Sequence, residues 1–177
     1  MTNYVAMLRG INVGGHAKVS MSDLRRVFDG LGYADVRTYI QSGKVVFRTP
    51  EKAASMAATI EAGLVEALGL AVRVVIRTGP QLAAAMACNP LDDGTRDAGR
   101  LHVTFLASAP TPARTGALDA SAQLPDEFRV VGREVYVHCP NGYGRTKLTN
   151  AYFERAFGVV ATTRTVKTVA ELARMSS

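Results

Sequence analysis

The chain has 177 residues, of which 47% are hydrophobic and 20% charged, and its formal net charge at pH 7 is +6. This length suits one domain or two small ones, and the composition excludes an intrinsically disordered chain. No apolar run approaches the roughly 18 residues that a membrane helix needs, and Arg9 comes too early for a secretory signal peptide. We therefore expect a cytoplasmic protein without a membrane segment.

The basic excess lies towards the two ends of the chain. Residues 1–50 and 133–177 each carry seven basic and three acidic side chains, whereas residues 51–132 carry seven basic and nine acidic ones. Positive charge raises the rate of encounter with phosphates, nucleic acids and acidic surfaces. The charge distribution thus favours an anionic partner.

The cysteines and histidines show no metal-ligand spacing. Cys88 and Cys139 form no C-x-x-C pair, and we interpret both as buried free thiols in a reducing compartment. His16, His102 and His138 are widely spaced and form no H-x-x-x-H pair. We expect neither a metal site nor a cofactor.

The first 78 residues show the element order β-α-β-β-α-β. Ser20, followed three residues later by Asp23, is typical of a helix start, and the apolar positions after it recur at helical spacing. Alternating residues on either side of Ser42-Gly43 predict a hairpin with a two-residue turn. The predicted strands cover residues 4–8, 36–41, 44–47 and 72–76, and the predicted helices cover residues 21–31 and a long segment that opens at residues 50–51. This order is that of a ferredoxin-like unit.

The remaining chain repeats most of this order after a linking segment. Residues 79–100 predict a short helix and a loop. The predicted strands that follow cover residues 101–107, 128–131 and 134–139, and the predicted helices cover residues 111–122, a segment with Leu148 near its start, and residues 166–175. We expect an α+β fold of two ferredoxin-like (split βαβ) halves, residues 1–78 and 101–177, packed into one compact unit with an extra C-terminal helix.

Three segments carry a family resemblance: residues 7–15 (MLRGINVGG), residues 38–43 (TYIQSG), and residues 144–150 (GRTKLTN) with residues 162–164 (TTR) after them. They resemble the bacterial family called domain of unknown function 1697, and the resemblance covers nearly the whole chain. It implies a small α+β protein with ferredoxin-like parts, and it implies no reaction and no catalytic residues. The chain departs from the usual pattern at Lys44, where Asn is common, and at Thr165-Val166, where Asn-Trp is common.

The loop at residues 141–147 combines glycines with basic residues ahead of a predicted helix. Glycines let backbone amides approach an anion, a helix N-terminus adds unpaired donors, and Arg145 and Lys147 add full charges. The spacing is not that of a Walker A loop. The alternative is a structural strand-to-helix turn in which Thr146 caps the helix.

The loop at residues 9–18 likewise combines glycines with basic residues ahead of a predicted helix. Its glycines do not match G-x-G-x-x-G and its helix starts late, so a dinucleotide-binding fingerprint is a poor fit. The alternative is a structural loop pinned by Ile11 and Val13, although loops of this length in compact domains are often functional.

Aromatic residues on the predicted hairpin strands allow comparison with RNA-recognition motifs, which stack bases on a ferredoxin-like sheet. Tyr39 and Phe47 lie on one hairpin, and Phe128 and Tyr136 on the other. No RNP1-like string is present. We therefore expect core packing for Phe47 and Phe128.

Together these patterns predict a protein that binds a phosphate-bearing ligand, either a nucleic acid or a nucleotide, through the two loops. The predicted ligand-binding residues are Arg9, Lys18, Arg145 and Lys147 for charge, and Asn12, Ser42 and Thr146 for orientation. We also expect the loops to converge, with Arg9 near Lys147. Two alternatives stay open, an enzyme acting on a small phosphorylated metabolite and a protein-interaction module without a small ligand.

Overall fold

The structure, a computed structural model, describes residues 1–15 and 17–177, and the chain divides into two units. The first unit comprises Met1–Leu82 with Leu172–Ser177, and the second comprises Ala83–Glu171. The sequence predicts boundaries at residues 78 and 100 and keeps the C-terminal helix with the second half. In the structure, residues 172–177 group instead with the first unit.

The first unit is ferredoxin-like, as predicted. Its elements are β1 (Thr2–Leu8), α1 (Met21–Gly30), β2 (Ala34–Thr38), β3 (Lys44–Thr49), α2 (Ala53–Leu68) and β4 (Val74–Thr78). The sheet order is β2-β3-β1-β4, and each neighbouring pair is antiparallel. The two helices therefore connect strands that are not adjacent in the sheet, as a split βαβ unit requires.

The core of the first unit forms where α1 and α2 cover one face of this sheet. Met56, Ile60 and Leu64 recur every fourth residue of α2, so their side chains lie on one helix face, and all three are fully buried. Alternate residues of the central strand β1 join the same cluster, among them Ala6 and Leu8.

The second unit repeats this architecture. The helix α3 (Gly79–Ala87) leads into it, and its elements are β5 (Leu101–Leu106), α4 (Pro112–Gly116), β6 (Glu127–Val131), β7 (Glu134–His138), α5 (Asn150–Phe157) and β8 (Ala161–Thr165). The sheet order is β6-β7-β5-β8, again fully antiparallel. The last helix, α6 (Val166–Met175), follows β8 directly. The predicted α+β fold of two ferredoxin-like halves is confirmed.

The strand β8 is absent from the sequence prediction, which ends the second half with a helix. Its residues, Ala-Thr-Thr-Arg-Thr, lack the apolar alternation that marks a half-buried strand. Pairing with β5 nevertheless orders it, and the hydroxyls of Thr104 and Thr163 lie 2.7 Å apart across the pair. This strand supplies the fourth position of the second sheet.

The predicted helix at residues 111–122 is wrong in extent. The α-helix ends at Gly116, and a separate 3-10 turn covers Ala120–Gln123. Between them, the Asp119 carboxylate accepts hydrogen bonds from the backbone N–H and hydroxyl of Ser121. An Asp that bonds the backbone locally competes with helix continuation, which explains the break.

The predicted two-residue turn of the first hairpin is also wrong. Five residues, 39–43, separate β2 from β3, and the backbone N–H of Tyr39 donates to the carbonyl of Lys44 at 3.0 Å. Within this turn Ile40 has φ 44° and Gly43 has φ 70°. A positive φ is rare for a β-branched residue, so the turn holds Ile40 in a strained conformation.

No helix in the part of the chain that the structure describes is long and apolar enough to cross a membrane.

Candidate functional site

The first predicted loop is organised by the side chain of Asn12. Its Nδ2 donates to the carbonyl oxygens of Val19 at 3.0 Å and Gln41 at 2.7 Å, and its Oδ1 accepts from the backbone N–H of Val19 at 2.9 Å. The carboxamide thus ties the loop both to itself and to the hairpin turn. Its φ of 53° is one that Asn tolerates better than most residues.

The hairpin turn packs closely on the first loop at Gly43. A Cβ built on Gly43 would lie 2.6 Å from Ile11 Cγ1, and the backbone N–H of Leu8 donates to the Gly43 carbonyl at 2.8 Å. Glycine is therefore required here both by the backbone conformation and by the close approach. The two family-like segments at residues 7–15 and 38–43 form one folded substructure.

The side chains of Ser42, in this turn, and Lys44, at the start of β3, are bonded to each other. The Lys44 ammonium donates a short hydrogen bond to the Ser42 hydroxyl and lies 5.5 Å from the centre of the Tyr39 ring. Lys44 is buried, and the hydroxyl and the aromatic face both stabilise its charge there. The lysine that replaces the family's usual Asn thus has a defined structural role.

The predicted cations of the first loop differ in position. Lys18 is exposed and lines a hollow of about 450 Å³ together with Asn12, Gly15 and Gln41. Arg9 is half-buried, and its backbone N–H donates to the Arg73 carbonyl at 2.9 Å. Of the first-loop residues predicted to bind an anion, Lys18 and Asn12 lie at the hollow. His16 falls outside the described residues.

The second predicted loop does not lie at a helix N-terminus. Tyr143–Arg145 form a 3-10 turn, and α5 begins only at Asn150. The N-cap is Thr149, whose hydroxyl accepts from the backbone N–H of Tyr152 at 3.2 Å. Both the expectation of helix-terminal donors beside Arg145 and the alternative in which Thr146 caps the helix are therefore wrong.

Thr146 instead anchors the loop to the chain before β6. Its hydroxyl donates to Asp126 Oδ2 at 2.6 Å and accepts from the backbone N–H of Leu148 at 3.0 Å. The side chain is buried, and a bond from a hydroxyl to a carboxylate is of the strong, charge-assisted kind. Thr146 thus orients the loop.

Arg145 and Lys147 line a common hollow of about 250 Å³. The segment at residues 122–126 and the side chain of Asn141 complete its walls. Both cations are exposed, and neither side chain makes a hydrogen bond or ion pair with another residue that the structure describes. The same holds for the carboxamides of Gln123 and Asn141. The hollow therefore presents two cations and two amides whose side chains have no hydrogen-bond or ion-pair partner among the described residues.

The walls at residues 122–126 were not predicted as site residues. They include Leu124, a residue that is 66% exposed, Pro125, and the Asp126 that holds Thr146. Their sequence lacks glycine and basic residues, so the rule that singled out the basic loops cannot select them. The exposure of Leu124 is visible only in the structure, so no signal in the sequence marks this wall.

The two parts of the third family-like segment meet through a hydroxyl chain. Thr163 of β8 lies 2.7 Å from Asn150 Oδ1, to which it donates, and 2.7 Å from Thr104 Oγ1. This chain joins the start of α5 to the sheet. At the last residue of β8, the hydroxyl of Thr165 accepts from the backbone N–H of Thr168 at 3.2 Å, just before α6 begins, a role for which Asn would serve equally well.

A partly buried polar cluster supports the second loop. The ring of Tyr143 stacks on that of His102 with centroids 4.8 Å apart. Burial lowers the pKa of His102, and burial lowers the pKa of Arg164, the next residue beyond Thr163, to about 10. Arg164 donates to Thr162 Oγ1 at 2.8 Å. Burial therefore disfavours the charged form of both side chains.

An ion-pair cluster fixes the loop before β5. Arg96 forms a short hydrogen bond to Glu127, and its Nη1 lies 3.1 Å from His138 Nδ1. The hydrogen bond from Arg96 lowers the pKa of Glu127, and hydrogen bonds from Thr95 lower the pKa of Asp93 to about 2. The positive charge of Arg96 is thus balanced by neighbouring carboxylates, as is typical of an ion-pair cluster with a structural role.

The predictions for the aromatic residues are confirmed, whereas those for the two cysteines are confirmed only in part. Phe47 and Phe128 are buried among other aromatic rings, so their predicted core role is confirmed. Cys139 is buried and free as predicted, whereas Cys88 is free but exposed, so its predicted burial is wrong. Among the described residues, no group of three or more His, Cys, Asp or Glu side chains could hold a metal ion.

Comparison with solved structures supports the fold. The chain is similar to the conserved bacterial protein SP0830 from Streptococcus pneumoniae, with a TM-score of 0.74 and 22% sequence identity over 99% of both chains. No curated protein matches the sequence. The model of one family matches residues 1–136, which include the first two family-like segments but not the third. The chain belongs to the family described as protein of unknown function (DUF1697).

Proposed function

We propose that the second unit binds a phosphate-bearing ligand in the hollow lined by Arg145 and Lys147. The observation that carries this proposal is the convergence of two cations and two carboxamides, none with an intramolecular partner among the described residues, on one hollow. Unused charged donors are what an oxyanion needs, because it accepts several hydrogen bonds at once.

Each side chain has a role in this proposal. Arg145 offers a planar fork of donors that matches two phosphate oxygens, whereas Lys147 adds a compact charge. Asn141 and Gln123 add neutral donors. The loop is held in place without the ligand, since Thr146 is bonded to Asp126 and Tyr143 is stacked on His102. A preorganised site loses less conformational entropy on binding.

The size of the hollow suits a small phosphate ester, or the phosphate end of a nucleotide, rather than a polymer. Its volume of about 250 Å³ lies below the range of roughly 300–1,000 Å³ that drug-sized ligands occupy. The exposed Leu124 offers apolar surface for the carbon skeleton of such a ligand.

Free thiols at Cys88 and Cys139 are consistent with the proposed cytoplasmic location.

A nucleic acid is the second candidate, because the first unit carries most of the charge. It has eleven basic and six acidic side chains, a net charge of +5, whereas the second unit has ten and nine, a net charge of +1. A polyanion would respond to the first unit's charge rather than to the hollow.

Calorimetric titration with 5′-AMP and with inorganic phosphate at low salt tests the proposal. We expect saturable binding of both, and weakening by roughly tenfold or more in Arg145→Ala and in Lys147→Ala, as for loss of a charged hydrogen bond. Lys167→Ala is the matched control, because Lys167 is exposed on α6 and does not line the hollow. Equal affinities in all four proteins would contradict the proposal.

A further inference from the structure

We infer that the ligand of this hollow carries a hydroxyl group beside its phosphate, so that its class is the phosphorylated polyols, meaning sugar phosphates and nucleotides. The inference rests on the proposed function and adds to it the group that the ligand presents to Asp126. The observation behind it is a carboxylate in the wall of a hollow otherwise supplied with cations and amides.

The carboxylate of Asp126 has one oxygen in use and one available. Oδ2 accepts the hydrogen bond from Thr146 at 2.6 Å, and Oδ1 has no donor among the residues that the structure describes. An ionised carboxylate only accepts hydrogen bonds, so it repels a phosphate and attracts a donor. If the hollow bound a phosphate group alone, an amide in place of the Asp126 carboxylate would give higher affinity.

The position of Asp126 does not depend on a ligand. Its backbone N–H donates to the Gln123 carbonyl at 2.9 Å, and its bond to the buried Thr146 fixes the side chain. The carboxylate therefore stands in the wall before any ligand arrives. A partner donor on the ligand would meet it without further ordering of the chain.

A hydroxyl is the donor that fits the rest of the wall. A ligand ammonium group would be repelled by Arg145 and Lys147, whereas a hydroxyl donates without adding positive charge. Leu124 and Pro125 also line the hollow and suit the carbon atoms between a hydroxyl and a phosphate. A phosphate ester with hydroxyls on neighbouring carbons matches the three kinds of group that line the hollow: the cations and amides bind the phosphate, the apolar residues contact the carbon atoms, and the carboxylate accepts from a hydroxyl.

The test compares two ligands that differ in their hydroxyls alone, propyl phosphate and glycerol 3-phosphate. Calorimetry should show that the wild-type protein binds glycerol 3-phosphate about tenfold more tightly, as expected for a hydrogen bond to a charged group. In Asp126→Asn the preference should disappear, and propyl phosphate should bind more tightly than to wild type because a negative charge has left the wall.

A second variant separates the ligand contact from the structural bond. Thr146→Val removes the donor to Oδ2, and with it the bond that fixes the Asp126 side chain, but it keeps the carboxylate. The preference for glycerol 3-phosphate should therefore be smaller than in the wild-type protein, but it should not disappear as it does in Asp126→Asn. Ribose 5-phosphate and 5′-AMP then distinguish the sources, since a nucleotide site gives tighter binding of 5′-AMP and a sugar-phosphate site does not.

The outcomes distinguish the two proposals. Equal binding of propyl phosphate and glycerol 3-phosphate, with both weakened in Arg145→Ala, overturns the hydroxyl inference and leaves the proposed function in place. Absence of binding for every phosphate compound overturns both. A preference that survives in Asp126→Asn assigns the hydroxyl contact elsewhere and also overturns the inference.

Discussion

The side-chain amide of Asn12 donates to the carbonyl oxygen of Gln41 at 2.7 Å and so joins two loops that are 29 residues apart in the sequence. The same carboxamide makes two more bonds, both to Val19. A residue with three local bonds of this kind serves to order the loop, and its removal should affect stability more than ligand binding.

Asn12→Ala should lower the free energy of unfolding by about 1–2 kcal/mol, because three hydrogen bonds are lost from a partly exposed site. Urea denaturation measures the change. Asn141→Ala is the matched control, since Asn141 also lies in a loop but its side chain has no partner among the described residues. It should change stability by less than about 0.5 kcal/mol. Equal effects would show that the Asn12 bonds do not stabilise the fold.

Gly43→Ala should be more destabilising than Gly15→Ala. Both glycines have positive φ, 70° and 79°, so each substitution costs about 1 kcal/mol of backbone strain. At Gly43 the new Cβ also meets Ile11 at 2.6 Å, whereas at Gly15 nothing lies within 4 Å. Overpacking adds about 1–3 kcal/mol. In a double-mutant cycle Ile11→Ala should recover part of that excess, and additive losses would contradict the contact.

Thr149→Ala should destabilise the protein by about 1 kcal/mol because it removes the N-cap of α5. Thr149→Asp should be nearly neutral, since an Asp caps equally well and adds favourable charge at the helix start. Thermal unfolding of the three proteins measures the difference. If both variants lost the same stability, the hydroxyl of Thr149 would not be the cap.

His102→Phe should flatten the dependence of stability on pH. Burial lowers the pKa of His102 in the folded state, so the unfolded state binds more protons just below its ordinary value of about 6.5. Stability of the wild-type protein therefore falls as pH decreases through that window. Phenylalanine keeps an aromatic ring against Tyr143 but cannot be protonated. Urea titrations between pH 5 and 7.5 test this, and unchanged slopes would contradict it.

Any affinity for single-stranded RNA should depend on the first unit and on salt. The logarithm of the binding constant should fall linearly with the logarithm of salt concentration. Lys18→Ala should reduce the steepness of this line by about 0.7 if the Lys18 side chain contacts a phosphate. Lys147→Ala should leave the slope unchanged, because Lys147 belongs to the hollow of the second unit. Fluorescence anisotropy measures the slope, and absence of binding at about 50 mM salt removes nucleic acid as a candidate.

The predicted convergence of Arg9 and Lys147 stays a prediction, since the two residues belong to different units. Within each unit, however, the structure shows what the predicted residues contact. Asn12, Ser42 and Thr146 are engaged in bonds that order their loops, whereas Lys18, Arg145 and Lys147 are exposed.

The sequence by itself determined the features that depend on near neighbours. Ser20 accepts from the backbone N–H of Asp23 and begins α1 as predicted, because a cap needs only residues three positions apart. The spacing of Met56, Ile60 and Leu64 at every fourth residue likewise places the three side chains on one helix face, since helical periodicity is a local property. The repeated ferredoxin-like order follows from such elements taken in sequence.

Only the tertiary structure decided the features that depend on distant pairing. The strand β8 exists because Ala161–Thr165 pair with β5 about 60 residues earlier, and its own residues carry no strand signal. The two threonines before α5 also differ in a way that only the fold shows, since Thr149 caps the helix whereas the Thr146 hydroxyl bonds to Asp126, 20 residues away in the sequence. The candidate hollow has the same origin, because residues 122–126 meet Arg145 and Lys147 only when the second sheet has formed.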